Sequence, residues 1–298
     1  MDPTFSTCPP STSSSTTSRP IRVLALPGYG TNAKHMEGKL KQARIVWGDD
    51  MQLTYLEPPH LLSIPTLPDT GAPRPPPDAS LPAGATENAR YWWPWAQHRH
   101  YERGVLESLL VYLRAFFERE GSFDAAIGFS QGSATIVLLL ALLERPHLHP
   151  IWAAPPRDAG VEWPPAPFKC AVLCSAFGPG DPRYQRWYKE EKPRTPTLHL
   201  IGRNDVVANP QHSLDTVARL HNPTVVWHDG GHHIPRRPYF AHLIKEFVTA
   251  ACDDDKDWGD ERRDGWGSPT ESVASSIGEG NVYFPAVPLS PILEPANL

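Results

Sequence analysis

Six short apolar runs recur through the middle of the chain, each closed by Gly, Pro or Asp. They are IRVLAL (21–26), MQLTYLEPP (51–59), FDAAIGF (123–129), FKCAVLCSAF (168–177), TPTLHLIG (195–202) and PTVVWHDGG (223–231). Runs of this length, bounded by turn formers, predict buried strands. Between them the period changes. In YERGVLESLLVYLRAFFERE (101–120), Val105, Leu109, Tyr112, Leu113 and Phe116 recur at spacings of three and four, which predicts an amphipathic helix. QGSATIVLLLALLE (131–144) is apolar nearly all round and predicts a helix buried on every face. PQHSLDTVARLH (210–221) and PYFAHLIKEFVTAAC (238–252) predict two more helices. Strands that alternate with helices assemble as βαβ units. The expected fold is therefore α/β, a mostly parallel central sheet of about six strands flanked by helices, in one domain over residues 21–252.

Two segments break the rhythm. Residues 58–95 are proline-rich and end in YWWPW, and residues 146–167 are rich in Pro and Trp. Long irregular loops inside a domain commonly cover functional sites. Residues 58–95 are thus a candidate lid or insert, and Trp92, Trp93 and Trp95 are candidate walls of a substrate pocket. Residues 1–20 are rich in Ser, Thr and Pro. Residues 253–298 open with the polar stretch DDDKDWGDERRDGWGSPTESVASS. Both compositions predict disordered tails.

Charge and cysteine usage narrow the classes. A formal net charge of -5 gives no support for nucleic-acid binding. No apolar run approaches the roughly 18 residues of a membrane helix, and the N-terminus lacks the basic start and apolar stretch of a secretory signal. Cys8, Cys170, Cys174 and Cys252 form no C-x-x-C pair. Cys170 and Cys174 lie inside an apolar run, which favours buried, reduced thiols and a cytoplasmic protein.

The chemistry centres on AAIGFSQGSATIV (125–137), where Gly128-Phe129-Ser130-Gln131-Gly132 fits G-x-S-x-G between a predicted strand and a predicted helix. A tight strand-to-helix turn lifts a serine hydroxyl from the backbone and aims helix N–H groups at the oxygen that gains charge. A turn serine with no chemistry is the alternative. A nucleophile needs a base and an acid, in the chain order Ser, acid, His. GRNDVV supplies Asp205 after one strand and DGGHHIP supplies His232 after the next, with His233 as a rival base. The grouping of His228, His232 and His233 lacks the H-E-x-x-H helix and the matching carboxylate of a metal site, so no metal is expected. The backbone N–H groups of Gln131 and of Tyr29, in LPGYGTN after the first strand, are the candidate oxyanion donors.

In this order, RVLALPGYGTN, GFSQGSA, LHLIGRNDVV and GGHHIP resemble the fungal serine hydrolases of the FSH family, over about residues 20–250. That family includes polyketide-releasing thioesterases related to the one of the lovastatin pathway. The resemblance implies an α/β-hydrolase fold, no cofactor, and hydrolysis of an ester or thioester, with an acyl carrier protein of a polyketide synthase as an expected partner. It also implies a catalytic histidine directly after Gly-Gly, which selects His232. Pro27 departs from the histidine usual before Gly28. A short-chain carboxylesterase, a protein deacylase and a catalytically silent module of the same fold are the competing expectations.

Overall fold

All six apolar runs form strands in the computed structural model, which describes residues 19–62, 88–94, 105–158, 160–178 and 182–253. In chain order the elements are β1 (Ile21–Leu26), α1 (Ala33–Trp47), β2 (Met51–Tyr55), β3 (His60–Leu61), β4 (Arg90–Tyr91), α2 (Val105–Glu120), β5 (Ala125–Phe129), α3 (Gln131–Glu144), α4 (Pro150–Ala153), β6 (Cys170–Cys174), α5 (Pro182–Lys189), β7 (Thr197–Gly202), α6 (Pro210–Val217), β8 (Pro223–His228) and α7 (Pro238–Cys252). The two tails, and most of the 58–95 insert with Trp95, lie outside the described residues.

The large sheet runs β2-β1-β5-β6-β7-β8, and every pairing is parallel. Both faces are covered, which is why the strands read as continuous apolar runs rather than alternating ones. Leu24, Leu26, Ala126, Ala171 and Leu173 turn to one face, where α2 and α3 bury Leu109, Leu113, Phe117, Ile136 and Leu140. Val23, Ala25, Ile127, Val172, Leu198 and Leu200 turn to the other, against Met36 and Leu40 of α1 and Leu243, Ile244 and Phe247 of α7. Residues 131 to 143 of α3 are all buried, as the all-round apolar pattern required. The buried thiol of Cys174 is pushed up to about 12 by its apolar surroundings, so it is an inert packing group.

Helix α1 is an addition to the expected elements. Only Met36, Leu40 and Trp47 of its fifteen residues are buried, too few to stand out as an apolar stripe. Its start is set locally: the Asn32 side chain caps it by accepting from the His35 N–H. Its end is fastened by tertiary contact, where the Trp47 indole N–H donates to the Ala241 carbonyl of α7 at 2.8 Å.

The strand order fixes where a site can form. From β1 the chain steps to β2 on one side, then returns to β5 on the other. The loops leaving β1 and β5 therefore diverge, and the crevice between them opens at the carboxyl ends of the strands.

Candidate active site

Ser130 sits at that crevice, immediately after β5. Its backbone has φ 54° and ψ -119°, a conformation that side-chain-bearing residues rarely adopt. Neighbouring bonds enforce it. The Ser130 N–H donates to the Cys174 carbonyl at 2.9 Å, and the Ala134 N–H donates to the Ser130 carbonyl at 3.1 Å. The two motif glycines are there for close approach. A Cβ on Gly128 would lie 2.6 Å from the Ser133 backbone, and one on Gly132 would strike the carbonyl oxygens of Leu26 and Pro27.

The structure brings Ser130, His232 and Asp205 into one hydrogen-bonded chain. His232 Nε2 lies 2.9 Å from Ser130 Oγ, and His232 Nδ1 lies 2.8 Å from Asp205 Oδ2 and 3.1 Å from Oδ1. A carboxylate only accepts, so Nδ1 carries the proton and Nε2 is left to accept from the serine hydroxyl. Asp205 Oδ1 also accepts from the N–H groups of Val207 and Ala208, at 3.0 and 2.8 Å. Burial alone would raise the Asp205 carboxyl. The hydrogen bond and charge of His232 and the bond from Ala208 outweigh it, and hold the group below its ordinary value. The loops that deliver acid and base extend the pairing of β7 with β8: Arg203 N–H donates to the His228 carbonyl and Asn204 N–H to the Gly230 carbonyl. His233 faces elsewhere, its ring 5.0 Å from that of His228. Among the described residues no cluster of His, Cys, Asp or Glu is arranged to hold a metal ion.

Gln131 is the first residue of α3, so its N–H has no acceptor within the helix. The loop carrying Tyr29 packs directly on Ser130: a Cβ on Gly28 would lie 3.2 Å from the serine Cβ. The Tyr29 ring lies against Tyr91, 5.8 Å between centroids.

Trp92 and Trp93 are placed differently from the pocket wall expected of them, and Trp95 lies outside the described residues. Trp92 is fully buried, so its ring lines no open pocket, and Trp93 is nearly so, at 7% exposure. Instead residues 88–93 form a strap across the two loops of the crevice. The Trp92 N–H donates to Gln131 Oε1 at 2.9 Å, and Gln131 Nε2 donates to the Trp93 carbonyl at 2.7 Å. The Trp92 indole N–H donates to the Pro27 carbonyl at 2.8 Å, and Gly30 N–H donates to the Arg90 carbonyl at 2.8 Å. The Gln131 side chain thus has a positioning role that the sequence reading, which used only its backbone, missed. Its signal was a long polar side chain opening an otherwise apolar, wholly buried helix.

Fold and site together are those of a serine hydrolase of the α/β-hydrolase fold. The chain belongs to the serine hydrolase (FSH1) family, which its residues 16–244 match. Esterase OVCA2 of Xenopus tropicalis is 28% identical over 246 residues, covering 78% of this chain and 95% of its own. Esterase FPY3 of Fusarium mangiferae is 26% identical over 242 residues, covering 78% and 98%. Among solved structures, esterase PE8 superposes with a TM-score of 0.50 at 17% identity, over 78% of this chain and 92% of its own. At that identity the likeness speaks for the fold alone. No helix among the described residues is long and apolar enough to cross a membrane.

Proposed function

We propose that the protein hydrolyses a carboxylic ester or thioester through an acyl-enzyme on Ser130. His232 Nε2 takes the hydroxyl proton as Oγ attacks the carbonyl carbon, then gives it to the departing alcohol or thiol. Water deprotonated by the same nitrogen attacks the acyl-enzyme, the proton returns to Ser130, and the acid is released. Asp205 holds the imidazole tautomer and stabilises the imidazolium. The N–H groups of Gln131 and Tyr29 are the oxyanion donors. The observation that carries this reading is the unbroken Ser130–His232–Asp205 hydrogen-bond chain at the switch point of the sheet. The names of the relatives support ester substrates. Release of a polyketide from a carrier protein is the narrower version, and it rests on the family resemblance alone.

A fluorophosphonate probe tests the mechanism. The wild-type chain labels on one serine, and Ser130→Ala abolishes labelling with an unchanged circular dichroism spectrum. Label that survives the substitution removes Ser130 from the reaction, and a wild-type chain that never labels is a silent module. Turnover of carrier-bound acyl thioesters against simple aryl esters then decides the breadth of the substrate.

A further inference from the structure

The ring of Phe129, the residue before the nucleophile, is a meeting point. The His232 ring is 4.9 Å from its centroid, and a Cβ on Gly28 of the oxyanion loop would lie 3.0 Å from its Cδ1. The ammonium of Lys39, from α1, stands 4.7 Å from the same centroid. Lys39 and His232 thus share the Phe129 ring, although α1 supplies none of the catalytic residues. Its side chain is half-buried, and among the described residues no carboxylate pairs with it or with Arg236. Burial, then the positive charge of Arg236, pulls the Lys39 ammonium below its ordinary range. His233 is lowered by burial and then by Lys39 and Arg236, so the three groups share one field. Asp205 is the acid of that neighbourhood, and it is committed to His232. A partly desolvated cation with only a ring face for compensation is costly to keep, and an incoming anion relieves that cost.

We infer that Lys39, assisted by Arg236, forms a subsite for an anionic group, a carboxylate or phosphate, carried by the substrate close to its scissile bond. The inference rests on the serine-hydrolase reading and names the substrate class for that site. The anion has two chemical sources, the free carboxylate of a diacid half-ester or the phosphate of a short phosphorylated alcohol. Two matched pairs separate them: aryl esters of equal chain length ending in carboxylate or methyl, and acyl esters of 2-hydroxyethyl phosphate against those of ethylene glycol. In the wild-type chain kcat/KM favours the anionic member of at least one pair. Lys39→Met cuts that preference roughly tenfold or more, the scale of one charge-assisted contact, while Lys39→Arg keeps most of it. Arg236→Met, at an exposed position, reduces the preference in the same direction and stands in if Lys39→Met does not fold.

Absence of any preference in a wild-type chain that labels with fluorophosphonate overturns the subsite and leaves the hydrolase standing. An equal loss on both members of a pair overturns it as well, because that is the signature of a purely structural lysine. A wild-type chain that does not label sinks the hydrolase reading, and the subsite falls with it.

Discussion

The strap across the crevice makes a quantitative demand on Gln131. Replacement by leucine keeps the bulk of this fully buried side chain but removes both of its bonds to the strap. The Trp92 N–H and the Trp93 carbonyl are then buried without partners. Each orphaned group costs about 1–3 kcal/mol, and the extra apolar burial of leucine returns about 1–2 kcal/mol. At mid-range the two orphaned groups cost about 4 kcal/mol and leucine returns about 1.5 kcal/mol, so the expected net loss is about 2–3 kcal/mol, a large part of the roughly 5–15 kcal/mol that holds a domain folded. Urea unfolding followed by tryptophan fluorescence measures it. Because the strap also holds Pro27, whose loop carries Tyr29, kcat should fall by about 10–100-fold with little change in KM, the pattern of a displaced oxyanion donor. Trp92→Phe keeps an aromatic ring but deletes the indole N–H bond to Pro27 and leaves a small cavity at a fully buried position. It should cost about 2–4 kcal/mol and combine less than additively with Gln131→Leu, since both act on one segment. A stability change under about 0.5 kcal/mol for Gln131→Leu would refute the strap. So would a Trp92→Phe variant whose KM rises while its stability is untouched, which is the behaviour of a substrate wall.

Two further outcomes follow from individual histidines. His232→Ala should lower kcat/KM by about 10⁴-fold or more while His233→Ala stays within about tenfold, and steady-state kinetics showing the reverse order would move the base to His233. Burial drives His199 down to about 3, so below about pH 6.5 the unfolded chain takes up a proton that the folded chain refuses: stability is whole above that pH and declines as pH falls toward 3, by about 2 kcal/mol at pH 5. The gap between urea midpoints at pH 7.5 and pH 5 should narrow in His199→Gln without closing, because burial and then His233 also drive His228 down to about 4, and an undiminished gap would assign the acid sensitivity elsewhere.

What could be read in the sequence is what neighbouring residues decide. An apolar run closed by Gly or Pro commits itself to a buried strand, so the sheet was legible from β1 to β8. The Ser130 turn was legible because strand, G-x-S-x-G and helix are contiguous, and Asp205 and His232 because each follows a strand directly. Helix α1 was not, because Met36, Leu40 and Trp47 are sparse and its burial comes from α7, some 200 residues away by the Trp47 to Ala241 bond. Trp92 and Trp93 were misplaced for a similar reason. A proline-rich aromatic stretch reads as a surface cover until its partners, Gln131 and Pro27, are known. Lys39 gave no signal at all, since a lysine on a polar helix is ordinary until the helix is seen against Phe129.

The strain at Ser130 ties these levels together. A backbone in that region costs about 1–3 kcal/mol and persists only where its surroundings leave no alternative. Relaxing it would take the Ser130 N–H from the Cys174 carbonyl, on the neighbouring strand. It would also shift Ser133, whose hydroxyl donates to that same carbonyl at 3.0 Å, and lift Gly132 off the Leu26 and Pro27 carbonyls. Each movement would disturb a helix that is buried along nearly its whole length. The hydroxyl and the Gln131 N–H therefore move as one body, clamped between β1, β6 and the strap. The base arrives separately, on loops zipped by the pairing of β7 with β8. The His232 to Ser130 bond is thus the joint between two independently braced halves, and substitutions in either half should lengthen it before they unfold the sheet.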